Sequence, residues 1–185
     1  MEDRTRRILE TALELAERDG YDAVRLRDVA AQSEVALGTV YRRFPSKEDI
    51  LVAALEIEME RMGRHLQENP ITGDNPVQRM TSAFAILTEI LVSKPNLARA
   101  LLRAVASGVP ENTKRVAQFH STSTDLLTSM LFDLDVSDTS RRHVASMLQD
   151  IWFAKLVGWS GGLQSMDSVV ADMREASEWL LKRAT

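Results

Sequence analysis

Apolar residues recur at three- and four-residue intervals along most of the chain, and no convincing alternation of apolar and polar positions marks a strand. The expected fold is all-α. The first helix, about Arg4 to Arg18, carries Ile8, Leu9, Ala12, Leu13 and Ala16 on one side and stops at Asp19-Gly20. Leu26 to Ser33 repeats the spacing with Leu26, Val29 and Ala30. Three or four residues later, Leu37 to Phe44 turns Val40 and Phe44 inward and leaves Thr39, Tyr41, Arg42 and Arg43 outside. Pro45 ends that helix, and Ser46 with Asp49 forms a capping pair that starts the next one at Lys47.

The helix from Lys47 to about Leu66 is long enough, at 1.5 Å per residue, to span ~30 Å. Its first turn belongs with the preceding helices, while Leu55, Met59, Met62 and Leu66 point toward the C-terminal part of the chain. It therefore bridges two expected domains, 1–46 and 47–185. Glu68 to Asn75, with Pro70 and Gly73, reads as a linker; Asn75 suits a cap and Pro76 a first helical position. Five further helices are expected, at about Pro76–Ser93, Leu97–Ser107, Glu111–Leu134, Asp138–Ser160 and Met166–Arg183. The architecture expected is a three-helix N-terminal head followed by six helices.

Two closely spaced short helices read as a helix-turn-helix, the second exposing a Thr-x-Tyr-Arg-Arg cluster suited to phosphates and base edges. The net charge of −4 over 185 residues points the other way until its distribution is considered. Between Arg25 and Lys47 five basic residues face two acidic ones, a local +3, and Arg4, Arg6 and Arg7 form a second basic group. The candidate DNA-contacting residues are Arg27, Leu37, Gly38, Thr39, Tyr41, Arg42, Arg43 and Lys47. Arg42 can contact guanine bidentately, and Leu37 and the Thr39 methyl can meet a thymine methyl. Tyr41, Arg43, Lys47 and Arg27 suit phosphates. With no cysteine, disulfides and thiol chemistry are excluded. No signal segment opens the chain and no apolar run reaches the ~18 residues a membrane span needs, so a cytoplasmic protein without membrane contact is expected.

The stretches Gly20-Tyr21, Leu26-Arg27-Asp28-Val29-Ala30, Gly38-Thr39-Val40-Tyr41 and Phe44-Pro45-Ser46-Lys47-Glu48 resemble the DNA-binding domain of TetR-family transcriptional regulators, without a gap over about the first 50 residues. The resemblance implies an all-helical homodimer on double-stranded DNA, its second motif helix in the major groove, released by a small molecule. Three positions depart from the family pattern. Arg25 and Ala36 stand where Thr or Ser commonly caps a helix, and Glu34 where Gly usually makes the turn. A narrower resemblance, through Ala36 to Tyr41, Lys94-Pro95-Asn96-Leu97, Leu102-Arg103-Ala104 and Asp150-Ile151-Trp152, is to the KstR-like repressors of cholesterol catabolism. It implies a steroid-derived effector or its coenzyme A thioester.

Helices five to seven carry more apolar residues than one packed face requires, as a ligand cavity or an ordinary core would. Candidate effector residues are Met80, Phe84, Leu87, Thr88, Leu101, Leu102, Arg103, Phe119, Ser123, Leu126, Leu127, Met130 and Trp152. Leu148, Trp152, Lys155 and Trp159 share one helix face. With Val169, Met173 and Leu180 they form either a four-helix dimer seam, as the resemblance implies, or the subunit's own core. The lysine in that stripe can snorkel, set register at the seam or meet an anionic ligand.

The function expected is a dimeric repressor on a palindromic operator, its half-sites ~34 Å or a multiple apart, that a small hydrophobic effector releases. Two other classes compete. One is a DNA-binding regulator controlled by a protein partner, with no small-molecule pocket. The other is a small lipid hydrolase, against which stand the scattered His65, His120 and His143 and the absence of a Gly-x-Ser-x-Gly elbow or a metal-ligand spacing. No cofactor is expected.

Overall fold

The computed structural model describes residues 3–184. Within them the chain folds into α1 (Asp3–Asp19), α2 (Leu26–Gln32), α3 (Leu37–Arg43), α4 (Lys47–Glu68), α5 (Pro76–Ser93), α6 (Pro95–Ala106), α7 (Thr113–Ser129), α8 (Asp138–Ser160) and α9 (Met166–Ala184). Short 3-10 turns at Tyr21–Ala23 and Pro110–Asn112 precede α2 and α7. No strand occurs among the described residues, and none of their helices is long and apolar enough to cross a membrane.

Packing divides the described residues into two compact units: 3–67 with 94–119, and 68–93 with 120–184. In the first, Ile8, Leu9 and Ala12 of α1 share one apolar core with Val29, Val40, Phe44, and Ile50, Leu51 and Ile57 of α4. Leu97, Ala100, Leu101 and Ala104 of α6 complete it. The compact unit that contains α3 thus also takes in α6, which lays its apolar side along α1, and α4 as far as Gln67. Lys94 and Asn96 fasten the start of α6 to the end of α1, Lys94 through Glu17 at 2.7 Å. In the second unit α9 packs against α5 and α8.

Local chemistry sets most helix boundaries. The Ser46 hydroxyl accepts from the Asp49 backbone N–H at 3.2 Å while the Asp49 carboxylate accepts from the Ser46 N–H at 3.0 Å, a reciprocal cap that starts α4. The Asn75 side chain accepts from the Gln78 N–H at 3.0 Å and opens α5. Arg25 and Ala36 sit at N-cap positions without a side-chain cap bond. At the end of α2, Val35 N–H reaches Ala30 C=O at 3.0 Å and Glu34 N–H reaches Ala31 C=O at 3.4 Å. That is a Schellman ending, and it puts Glu34 at φ 55, in the left-handed region.

The expected helix 111–134 is shorter at both ends. Pro110–Asn112 form a 3-10 turn, and after Ser129 the bonds tighten to Met130 N–H on Leu127 C=O and Leu131 N–H on Thr128 C=O. Arg79 of α5 is the cause: its buried guanidinium donates to Met130 C=O at 2.8 Å, pairs with Asp133 and lies 4.5 Å from the Phe132 ring centroid. Arg141 donates to Phe132 and Leu134 C=O. Two cations thus draw the carbonyls out of the helical path.

Because a non-glycine residue in the left-handed region costs about 1–2 kcal/mol, Glu34→Gly is expected to stabilise the protein by about 1 kcal/mol. A higher urea midpoint at unchanged slope is the measurement that checks it.

Candidate nucleic-acid interface

A seven-residue helix has too few internal hydrogen bonds to persist alone, so α3 is held by what it buries. Val40 and Phe44 are almost wholly enclosed, each contributing roughly 1.5–3 kcal/mol by leaving water. The opposite face is then fixed outward. Leu37 is 42% exposed and Tyr41 52%; Arg42 and Arg43 are exposed and Thr39 half-buried. A Cβ placed on Gly38 would meet nothing within 4 Å, so the backbone there is open to close approach. One continuous face therefore offers apolar, hydroxyl and guanidinium groups.

The remaining expected contacts are held differently. Arg27 is exposed and 3.4 Å from Asp28. Lys47 is half-buried at the start of α4, its ammonium 3.8 Å from the Tyr21 ring centroid and 3.3 Å from the Asp22 carboxylate. Of the N-terminal arginines, Arg4 and Arg7 are exposed, but Arg6 is committed to Glu10 at 2.9 Å and Glu60 at 3.1 Å. It braces α1 against α4.

Tyr21 sits at the centre of a small electrostatic cluster that sequence spacing had not marked. Its hydroxyl donates to Glu48. Burial first, then that bond to a carboxylate, pushes the phenol up to about 12, with Arg103 pulling the other way. Burial also raises the Glu48 carboxyl, but hydrogen bonds from Tyr21, its own backbone N–H and Ser46, with the charge of Lys47, together hold it below the usual carboxylate range.

A short exposed helix seated on a two-residue apolar anchor, after a tight turn and beside a lysine at the next helix N-terminus, is a helix-turn-helix. Residues 8–54 match bacterial regulatory proteins of the tetR family, and residues 73–180 match the tetracyclin repressor-like C-terminal domain. The chain belongs to the TetR family. It is 33% identical to the HTH-type transcriptional repressor KstR of Rhodococcus jostii, over 97% of this chain and 83% of that one. A TetR transcriptional regulator from Rhodococcus sp. RHA1 shares the fold at TM-score 0.84 and 23% identity, over 96% of this chain and 94% of that one. FadR from Bacillus subtilis, solved in complex with stearoyl-CoA, shares it at 0.69 and 19%, over 95% and 97%. The chain is thus a TetR-family transcriptional repressor.

The expected effector residues of this TetR-family chain divide between its two units. In the second, Met80, Phe84, Leu87, Thr88 and Leu127 are buried, and Ser123, Leu126, Met130 and Trp152 half-buried. Trp152 donates to the Thr88 hydroxyl at 3.0 Å and tilts against Phe84 with ring centroids 5.7 Å apart. In the first, Leu101 and Leu102 are buried and Phe119 packs against the head core. Arg103 points at Tyr21 instead, its Cζ 4.0 Å from the ring centroid. Sequence reasoning also passed over Asn112, buried beside the start of α7 with neither amide atom hydrogen-bonded.

Four of the residues expected at a dimer seam are buried within the subunit. Leu148, Trp159, Val169 and Met173 are buried, and Lys155 of α8 pairs with Asp172 of α9 at 2.7 Å. Trp152 and Leu180 are half-buried. The large apolar side chains that these helices leave exposed, among the described residues, are Met147, Val157 and Trp179. Periodicity identifies the apolar side of a helix but not which neighbour covers it.

Arg42→Ala is expected to cost about 1–3 kcal/mol of operator binding and to relax base preference, while Lys47→Ala weakens all sequences alike and lowers the salt slope by about 1. Competition titrations at several salt concentrations measure both. On stability, Glu48 contributes above its unfolded value, ~4.3, and loses that contribution as pH falls through its lower folded value. Glu48→Gln should therefore lose less stability than the parent between about pH 5 and 3 in denaturation series.

Proposed function

We propose that this repressor binds a palindromic operator as a homodimer and is released by a small hydrophobic effector, a steroid-derived acid or a fatty acyl group, carried as its coenzyme A thioester. The observation that carries the effector half is the course of α7. It runs unbroken from the compact unit that contains α3, through Phe119, into the other unit from His120 onward. A ligand that displaces α7 at Val116 and Phe119, which pack against the head core, strains the unit that holds the reader. Such a ligand must favour the displaced arrangement in free energy, or it releases nothing.

The chemical class is supported by likeness. KstR of R. jostii is a relative along nearly the whole chain, and the fold is shared with FadR of B. subtilis, whose structure holds stearoyl-CoA. Dimerisation is supported by Met147, Val157 and Trp179, apolar side chains left exposed on α8 and α9. Two heads related by a two-fold axis require inverted half-sites about one helical turn, ~34 Å, or a multiple apart. The competing reading, control by a protein partner without a cavity, draws on the close burial of Met80, Phe84 and Leu87.

Thermal melts with stearoyl-CoA, a steroid-acid coenzyme A thioester and the free acids test the reading, followed by band-shift titrations with the same compounds. One of them is expected to raise the melting temperature and to release an inverted-repeat duplex over the same concentration range. If none of them moves either signal, the effector reading is wrong and the protein-partner reading gains.

A further inference from the structure

Four charges converge on one aromatic ring in the head. The Lys47 ammonium lies 3.8 Å from the Tyr21 centroid and the Arg103 guanidinium carbon 4.0 Å from it. Both cations also address the same oxygen of Asp22, Lys47 at 3.3 Å and Arg103 at 3.8 Å. The Tyr21 hydroxyl holds the fourth charge, Glu48. Two acids balance two bases, so the cluster is neutral as a whole. Remove Arg103 and it carries one net negative charge, with the whole Asp22 carboxylate directed at Lys47.

We propose that Arg103 is a positioning residue for DNA binding: by sharing Asp22 it leaves the charge of Lys47 available to an operator phosphate. The inference rests on the assignment of Lys47 to a phosphate, and it moves Arg103 from the effector site to the reader. Arg103 belongs to α6, which packs along α1 and against the 21–23 turn. Any displacement of α6 from that turn hands Asp22 wholly to Lys47 and weakens the grip on DNA. The mechanism is charge compensation, so it needs no direct contact between Arg103 and the nucleic acid.

The test uses the full chain and a duplex selected on it from a random-sequence pool. Arg103→Ala is expected to lower affinity about 3- to 5-fold, the scale of an exposed charge pair, without changing base preference. Adding Asp22→Asn should restore most of that loss, and in a Lys47→Ala background Arg103→Ala should have little further effect. Arg103 is largely exposed, and Arg103→Gln with melting curves for each variant separates lost folding from lost binding. Losses that add to those of Lys47→Ala and survive Asp22→Asn would mean that Arg103 touches phosphate directly, overturning the proposal. So would unchanged operator affinity with an altered thermal shift by stearoyl-CoA, which would return Arg103 to the effector site. Failure of the parent chain to select any duplex would instead overturn the DNA-binding reading itself.

Discussion

The seating of Val40 and Phe44 in the head core is the constraint on which the rest of the structure depends. The α3 helix has seven residues and no side-chain cap at Ala36, so local energetics alone would not hold it. Burial of one valine and one phenylalanine supplies both its stability and its rotation about its own axis. Successive helical residues are turned by about 100°, so these two side chains turn Tyr41 and Arg42 away from the core and leave Leu37 and Arg43 at the exposed edges of the buried side. The chemistry on offer to DNA is a consequence of hydrophobic packing behind it.

The chain is acidic as a whole, and its reading surface works because charge is arranged locally. Near α3 four carboxylates are engaged: Asp28 lies against Arg27, Asp49 caps α4, Glu48 accepts from Tyr21, and Asp22 is divided between two cations. Arg42 and Arg43 are exposed on α3. An acidic body with a compensated basic face favours discrimination over indiscriminate attraction to nucleic acid.

Much of this was legible in the sequence, because the signals involved are local. The Ser46 and Asp49 pair, the Asn75 cap and the inward pair Val40 and Phe44 lie within one or two helical turns of what they control. What sequence left open depends on distant partners. Met130, Leu131 and Leu134 continue a helical spacing, but Arg79, far back in the chain, and Arg141, ahead of it, bind the carbonyls of this stretch and the helix ends before them. Leu101 and Arg103 look like cavity residues by composition, yet α6 carries them to the head, where one joins the core and the other meets Tyr21. The stripe on α8 was equally consistent with a dimer seam and an internal core; within the subunit Trp152 meets Thr88 and Phe84 of α5 and Lys155 meets Asp172 of α9.

The central claim is that the outward face of α3 is the surface that meets DNA. Hydrogen exchange followed residue by residue, with and without a duplex selected by the full chain, addresses it directly. The amides of 37–43 and the first turn of α4 should slow when the duplex is added, while those in the middle of α9 keep their rates. Unchanged exchange across α3, with protection appearing only elsewhere in the chain, would contradict the account.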